Sequence, residues 1–283
     1  MNLMLMPDLF VVFTKLGAVS PDGRSKTFDD GANGYGRGEG CVMLVLKRLS
    51  DAERDGDQIL ALVRGTATNQ DGKSNGLTAP NGLSQQHVII DALADAGLEP
   101  NDINYVEAHG TGTVLGDSIE IHSLAEAYCA ERSDNNPLLI GSVKANIGHL
   151  EPAAAVAGIA KIVLALHNRI IPANIHIKTP NTSFDWERYP IIAPTENTPW
   201  ESVNHIRRAG LSAFGFSGTN GHAILEEYVS KESPVHELNS LPAFILPNSA
   251  RSLESLKSLC SLYADAVDGR TGLELASLCY TAF

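Results

Sequence analysis

Short β-rich apolar runs alternate with segments of helical apolar spacing along most of this chain, and that alternation confines it to an α/β fold. Residues 41–47 and 60–68 read as strands. Residues 85–96 carry apolar side chains at helical spacing and stop at Gly97, a residue suited to the left-handed C-terminal cap. A strand is expected over 103–108, an Ala-, Glu- and Leu-rich helix over 118–130 and a short strand over 138–142. Residues 151–168 predict a long Ala-rich helix, with Pro152 suited to its first turn. A turn-rich stretch (172–200) leads to a closing strand pair, 208–213 and 222–227. Beyond Tyr228 the composition becomes that of a polar linker, followed by a strand at 243–247 and an amphipathic helix at 252–266. No internal repeat interrupts this order.

Composition narrows the function classes. With 43% hydrophobic and 19% charged residues, 283 residues bury a sizeable core in one large domain or two smaller ones. The 21 basic and 33 acidic residues sum to −12, which argues against a nucleic-acid surface and against an anionic membrane. The apolar opening is broken by Pro7 and Asp8 and lacks a basic flank, so it reads neither as a signal peptide nor as a membrane span. Both ends read as cut through longer patterns. Four cysteines (Cys41, Cys129, Cys260, Cys279) stand far apart with no C-x-x-C, so a reducing, cytoplasmic setting is the default and each reads as a small buried hydrophobe. The nine histidines show no H-x-x-x-H or H-x-E pairing, and no metal site is expected.

Several motifs fail on inspection. Gly72-Lys73-Ser74 ends like a phosphate-binding P-loop, but Ala67 stands where the first glycine is needed. The run from Gly31 to Gly40 never reaches the G-x-G-x-x-G register and precedes a strand instead of a helix, so a mobile or close-packed loop is expected. Asn181-Thr182-Ser183 is a glycosylation triplet by pattern only.

Three polar constellations at the ends of apolar elements remain. Glu107-Ala108-His109-Gly110-Thr111-Gly112-Thr113 runs a strand into a histidine and a loop whose glycines allow close backbone approach and whose threonines offer hydroxyls. Taken alone, His109 reads as easily as a residue capping a strand. Ser142-Val143-Lys144-Ala145-Asn146-Ile147-Gly148-His149 sets His149 at the mouth of the long helix, where a helix dipole favours neutral imidazole. The bland alternative is a capping histidine with Lys144 in a surface ion pair. Ser212-Ala213-Phe214-Gly215-Phe216-Ser217-Gly218-Thr219-Asn220-Gly221-His222 lies between the closing strands and by itself is a glycine-rich hairpin with buried aromatics.

Together these segments resemble the ketosynthase (β-ketoacyl synthase) domains of the thiolase-like superfamily. The stretches Arg64-Gly65-Thr66-Ala67-Thr68-Asn69-Gln70-Asp71-Gly72, Asn75-Gly76-Leu77-Thr78-Ala79-Pro80-Asn81-Gly82 and Gly116-Asp117-Ser118-Ile119-Glu120 sharpen the likeness to modular type I polyketide synthases. The resemblance implies the C-terminal half of a layered αβαβα fold: a remnant of the N-terminal ketosynthase half over 1–50 and the C-terminal half over 51–229. A small α/β linker toward an acyltransferase would occupy 230–283.

It also implies decarboxylative Claisen condensation of malonyl-type thioesters in polyketide or fatty-acid biosynthesis. His109, His149 and Lys144 would be catalytic. Thr111 and Thr113 would bind the phosphopantetheine arm, with Asn146, Gly215 and the gating Phe216 beside it. No cofactor would bind directly, the phosphopantetheine being carried by an acyl carrier protein. The other implied partners are the N-terminal ketosynthase half, a downstream acyltransferase and a second copy in a homodimer. The family's nucleophile sits in a Thr-Ala-Cys-Ser-Ser turn, which none of the four cysteines occupies. The chain alone is therefore expected to be inactive, the alternative being a non-catalytic carrier-binding or complementing subunit of a split synthase. Many stand-alone members pair the lysine with a glutamate nine residues after the second histidine, where this chain has Gly158.

Overall fold

The computed structural model describes residues 1–72, 80–204, 206–230, 243–269 and 272–282. They divide into two compact units, Met1–Val229 and Ser230–Phe283. The elements of the first unit begin with α1 (Asp8–Lys15), α2 (Leu49–Asp55), β1 (Leu62–Gln70), α3 (Gly82–Ala96), β2 (Tyr105–Glu107), α4 (Val114–Tyr128) and β3 (Leu138–Gly141). There follow α5 (Lys144–Ile147), α6 (Ala154–Asn168), β4 (Ile170–Ile171), β5 (Ile191–Ile192), β6 (Thr198–Pro199), β7 (Arg208–Phe214) and β8 (Thr219–Glu226). Six strands form one mixed sheet in the order β1-β8-β7-β2-β3-β5, while β4 and β6 make a separate ladder. Strands β1, β8 and β7 run antiparallel, and β7, β2, β3 and β5 run parallel.

Successive strand residues face opposite sides of a sheet, and the core divides accordingly. Val106 packs with Ile89 and Leu93 of α3 and with Ile121 and Leu124 of α4. Its neighbour Tyr105 packs on the other side with Ile162 and Leu166 of α6 and with Trp200. Ile224 and Leu225 of β8 split in the same way. The result is a helix–sheet–helix sandwich, as the alternation of apolar runs predicts. Helix α3 starts at Asn81, whose side chain accepts from the Leu83 and Ser84 amides, and stops at Gly97 in the left-handed conformation.

Several expectations are corrected. Residues 41–47 form no strand, and Met43, Val45 and Leu46 are 86%, 94% and 79% exposed. A strand is a ladder, and among the described residues nothing pairs with this segment, so its β-forming side chains stay in an extended run. Helix α1 carries no buried residue, and it starts at Asp8, where the sequence reads as an interrupted apolar run. The long helix expected from 151 begins as a 3-10 turn, Glu151–Ala153, and becomes α-helical at Ala154. In the second unit 243–247 forms no strand. Its described elements are α7 (Leu253–Val267), capped by the Ser252 side chain on the Ser255 amide, and α8 (Gly272–Thr281). The expected α/β linker is thus helical among the described residues. Cys41 and Cys260 are exposed, against expectation, whereas Cys129 and Cys279 are buried. Asn181 of the glycosylation triplet is buried. The motif stretch at 73–79 lies outside the described residues. No helix among the described residues is long and apolar enough to cross a membrane.

Candidate active site

Parallel strands β2 and β3 end at one level and β7 runs on to Phe214, with Glu107 opposite both Gly141 and Leu211. Open α/β sheets bind ligands at this carboxyl edge, and all three polar constellations emerge there. The His109–Thr113 loop is held from behind by two carboxylates of α4. Glu120 Oε1 and Oε2 accept from the His109 and Gly110 amides, both at 2.7 Å. Asp117 accepts from the Gly112 amide at 3.0 Å and from the Phe28 amide at 2.8 Å. Gly110 and Gly112 have φ of +43° and +81°, and a Cβ on either would meet Thr27 or Lys26 at 2.6–2.7 Å. The loop is therefore clamped between α4 and the 25–28 segment, and only glycine fits at those two positions.

The second constellation crosses from β3 into α5. The Ser142 amide donates to Asn174 Oδ1 at 3.1 Å, and Asn174 Nδ2 donates to the Thr27 carbonyl at 3.1 Å, tying this loop to the first. His149 precedes α6 by the 3-10 turn instead of capping it. Its amide donates to the Gly36 carbonyl at 2.6 Å, and the Gly38 amide donates back to its carbonyl at 3.0 Å. The glycine run is thus the close-packed wall of this loop: a Cβ on Gly36 or Gly38 would come within 2.4 Å of backbone oxygen.

These loops bring the two histidines together, with ring centroids 5.5 Å apart at 82°. The Phe214 amide donates to His109 Nδ1 at 3.3 Å, and the Glu151 amide donates to His149 Nδ1 at 2.8 Å. Each Nδ1 is therefore an acceptor, and a neutral ring must carry its proton on Nε2. Burial, then the Lys144 charge, holds His109 well below the ordinary imidazole range. The same causes bring His149 down to about 3. Two neutral N–H donors result.

Lys144 is 4% exposed, so the surface ion-pair reading is overturned. Burial lowers its pKa, while Glu107, Glu120 and Asp117 act to raise it, Glu107 most strongly. A side chain at 158 would meet Leu211 Cδ1 at 2.5 Å and Glu107 Cγ at 3.2 Å. A glutamate has no room there, and among the described residues no carboxylate lies within ion-pair distance of Lys144, Glu107 acting on it only through its charge. Burial pushes Asp117 up to about 6, and burial reinforced by Asp117 pushes Glu120 up to about 7.

Among the remaining expected residues, the Thr111 and Thr113 hydroxyls lie 3.1 Å apart, both partly exposed beside His109. Gly215 and Phe216 occupy the tip of the β7–β8 hairpin, where Phe216 is 58% exposed and lies 6.5 Å from the Phe13 ring. Asn146 is exposed on α5. Tyr35, whose ring lies 5.0 Å from that of His149, and Asn174 were not marked by any local pattern. Among the described residues no group of three His, Cys, Asp or Glu side chains could hold a metal ion.

His222 belongs to the core instead of the site. Tyr128 Oη stands 2.8 Å from its Nε2 and Ser212 Oγ 3.0 Å from its Nδ1. Burial lowers its pKa to about 3. The unfolded chain therefore takes up this proton first on acidification. The stabilisation is complete above pH about 6.5 and is lost as pH falls toward 3, about 5 kcal/mol in all. The raised Asp117 and Glu120 act oppositely, losing their contribution as pH rises through 6–7, so the His222 effect is read by difference. Between pH 7 and pH 4 the parent should lose about 2–3 kcal/mol more than His222→Gln in denaturant unfolding. Equal losses would refute the assignment.

Comparison with known proteins follows the same geography. Residues 1–52 match the family described as beta-ketoacyl synthase, N-terminal domain, and residues 60–178 the beta-ketoacyl synthase, C-terminal domain. Residues 180–282 match the ketoacyl-synthetase C-terminal extension. Polyketide synthase GfsE of Streptomyces halstedii is 47% identical over 276 residues, which cover 96% of this chain and 7% of that protein. Erythronolide synthase EryA2 of Saccharopolyspora erythraea is 44% identical over 278 residues, 97% of this chain and 8% of that one. The ketosynthase from module 6 of the bacillaene synthase of Bacillus subtilis 168 superposes with a TM-score of 0.85 at 38% identity. That match covers 99% of this chain and 49% of that structure, so the chain spans about half of a ketosynthase and a small part of its curated relatives.

Proposed function

Because the chain belongs to the β-ketoacyl synthase family of modular type I polyketide synthases, we propose that it supplies the histidine donors of a decarboxylative Claisen condensation. The observation that carries this reading is the pair of neutral rings at one sheet edge, each with Nδ1 engaged by a backbone amide. In the reaction the malonyl C–carboxylate bond breaks and carbon dioxide leaves. Its electron pair passes into an enolate whose negative charge develops on the thioester oxygen. Nε2–H groups of His109 and His149 stabilise that charge by donation without giving up a proton, a role suited to imidazoles that do not ionise near neutral pH. The enolate carbon then attacks the acyl thioester on a cysteine, whose thiolate departs.

That thiolate comes, on this reading, from the N-terminal half of the ketosynthase. Burial pushes the Cys129 thiol up to about 11, which leaves it a poor nucleophile. The exposed Met43, Val45 and Leu46 fit a segment that the N-terminal half covers. Thr111 and Thr113 would take the phosphopantetheine arm brought by an acyl carrier protein. Phe216, with Gly215, would gate the acyl pocket, and Asn146 would line the approach. An acyltransferase downstream and a second ketosynthase complete the proposed surroundings.

The test joins this chain to an upstream half carrying the Thr-Ala-Cys-Ser-Ser turn and measures ketoacyl product from acyl- and malonyl-carrier protein. Losing one preorganised donor should cost about 100- to 1,000-fold in His109→Ala and in His149→Ala. Parent-like rates in both variants would sink the reading. Product formed by residues 1–283 alone would overturn the external origin of the thiol.

A further inference from the structure

Glu151 is one of few non-glycine residues here with a left-handed backbone, at φ +48°. Its side chain gains nothing from that conformation, which costs a β-substituted residue energy unless the surroundings impose it. The surroundings are supplied from far along the chain. Arg37 Nε donates to Glu151 Oε1 at 2.6 Å and Arg37 Nη2 to Oε2 at 2.9 Å, the bidentate geometry that fixes a carboxylate in orientation as well as in place. The Arg37 side chain is 2% exposed and lies over the Phe10 ring at 4.3 Å, and its own backbone bridges to His149. Arg37 is thus locked on three sides, and Glu151 is the partner that must adapt. The same residue that Arg37 grips by its side chain donates its backbone amide to His149 Nδ1 at 2.8 Å, so clamp and imidazole are joined through Glu151.

We propose that the Arg37–Glu151 pair is a positioning device that holds the Glu151 amide against His149 Nδ1 and so keeps the His149 proton on Nε2. The inference deepens the reading of His149 as a donor and rests on it for its catalytic meaning, but the tautomer is measurable without any reaction. Neither residue touches the reacting atoms; both act through the imidazole.

The experiment is nitrogen-15 NMR of the full chain with ring-labelled histidine at neutral pH, His149 being assigned by the signal that disappears in His149→Gln. The parent should show a protonated Nε2 and an unprotonated Nδ1. In Glu151→Ala and Arg37→Leu the Nδ1 contact is released, and the tautomer ratio should move toward Nδ1–H by roughly 2- to 10-fold, the range for losing one hydrogen bond. Glu151→Gln loses the charge at nearly constant shape and serves if alanine unfolds the chain; it should shift in the same direction. Glu151→Gly removes the carboxylate and relaxes the backbone at once, and it should shift at least as far as the alanine variant. Parent ratios in the Ala, Gln and Leu variants would overturn the proposal, as would a glycine variant that keeps the parent tautomer. A shifted tautomer with unchanged condensation in the complete ketosynthase would instead leave the clamp standing and count against His149 as the donor.

Discussion

Replacing Glu107 with alanine should lower the unfolding free energy of this chain by about 3–5 kcal/mol, the range for removing one partner of a buried ion pair. The carboxylate side chain is 2% exposed and that of its partner Lys161 is 8% exposed, with Lys161 Nζ 2.7 Å from Glu107 Oε2. The same Oε2 accepts from Tyr105 Oη at 2.7 Å, and Oε1 accepts from the Val143 amide at 2.6 Å. Truncation leaves a phenol and an amide without their acceptor and a buried ammonium without its counter-charge. Glu107→Gln should cost less, because one oxygen still accepts. The companion variant is Glu107→Gln with Lys161→Met. Exchanging both members of a buried pair for uncharged groups is often near neutral, so the double variant should recover most of the loss. Denaturant midpoints at constant m-value measure all three. A loss below about 1 kcal/mol in Glu107→Ala would mean that water reaches Lys161 and that the pair contributes little.

A comparable penalty is expected at Glu120, with a catalytic effect beside it. Its two oxygens take up the His109 and Gly110 amides, and among the described residues neither amide has another acceptor. Stranding two buried donors in Glu120→Ala should cost about 2–6 kcal/mol at 1–3 kcal/mol each. The loop that carries His109 would then lose its rear anchor, and misplacement of a donor by about 1 Å is enough to lower a rate about 100-fold. Thermal unfolding of the chain reads the first effect, and condensation by the complete ketosynthase reads the second. Glu120→Gln separates them: it retains an acceptor for one amide and sets an amide group against the other, so its stability loss should be about half. Full stability in Glu120→Ala would show that the loop is held by the Thr27 hydroxyl on the Gly110 carbonyl instead.

These two carboxylates also show what could be read from the order of residues and what could not. In the sequence Asp117 and Glu120 stand out only as part of a family-like stretch, and their role as acceptors for the loop amides comes from the packing of α4. The helix–sheet–helix layering and the edge where His109 and His149 emerge follow from alternating apolar runs, since strand period and helix period are local properties. Glu107–Lys161 and Arg37–Glu151 are not local. Their members lie 54 and 114 positions apart, and a lysine at 161 or 144 reads as solvated until the packing of α6 and β3 is known. Residues 41–47 fail for the opposite reason, because the side chains favour a strand while pairing depends on a neighbour. Helix α1 has a polar side at Asp8 and Lys15, but at eight residues directly after Pro7 it is too short to be told from an interrupted apolar run.

The antiparallel edge of the sheet has a consequence for how the chain is made. Strand β1 ends at Gln70 and takes all its ladder bonds from β8, whose first residue is Thr219. During synthesis at about 5–20 residues per second, β1 therefore waits roughly 7–30 seconds for its partner to emerge. Through that interval its amides and carbonyls stand open, while α3, β2, α4 and β3 can already assemble from neighbouring segments. Closing a loop of this length slows folding more than it weakens the finished sheet. The β1–β8 ladder is thus the last part of the sheet to form, and the wait for β8 is the interval of greatest exposure to wrong pairing.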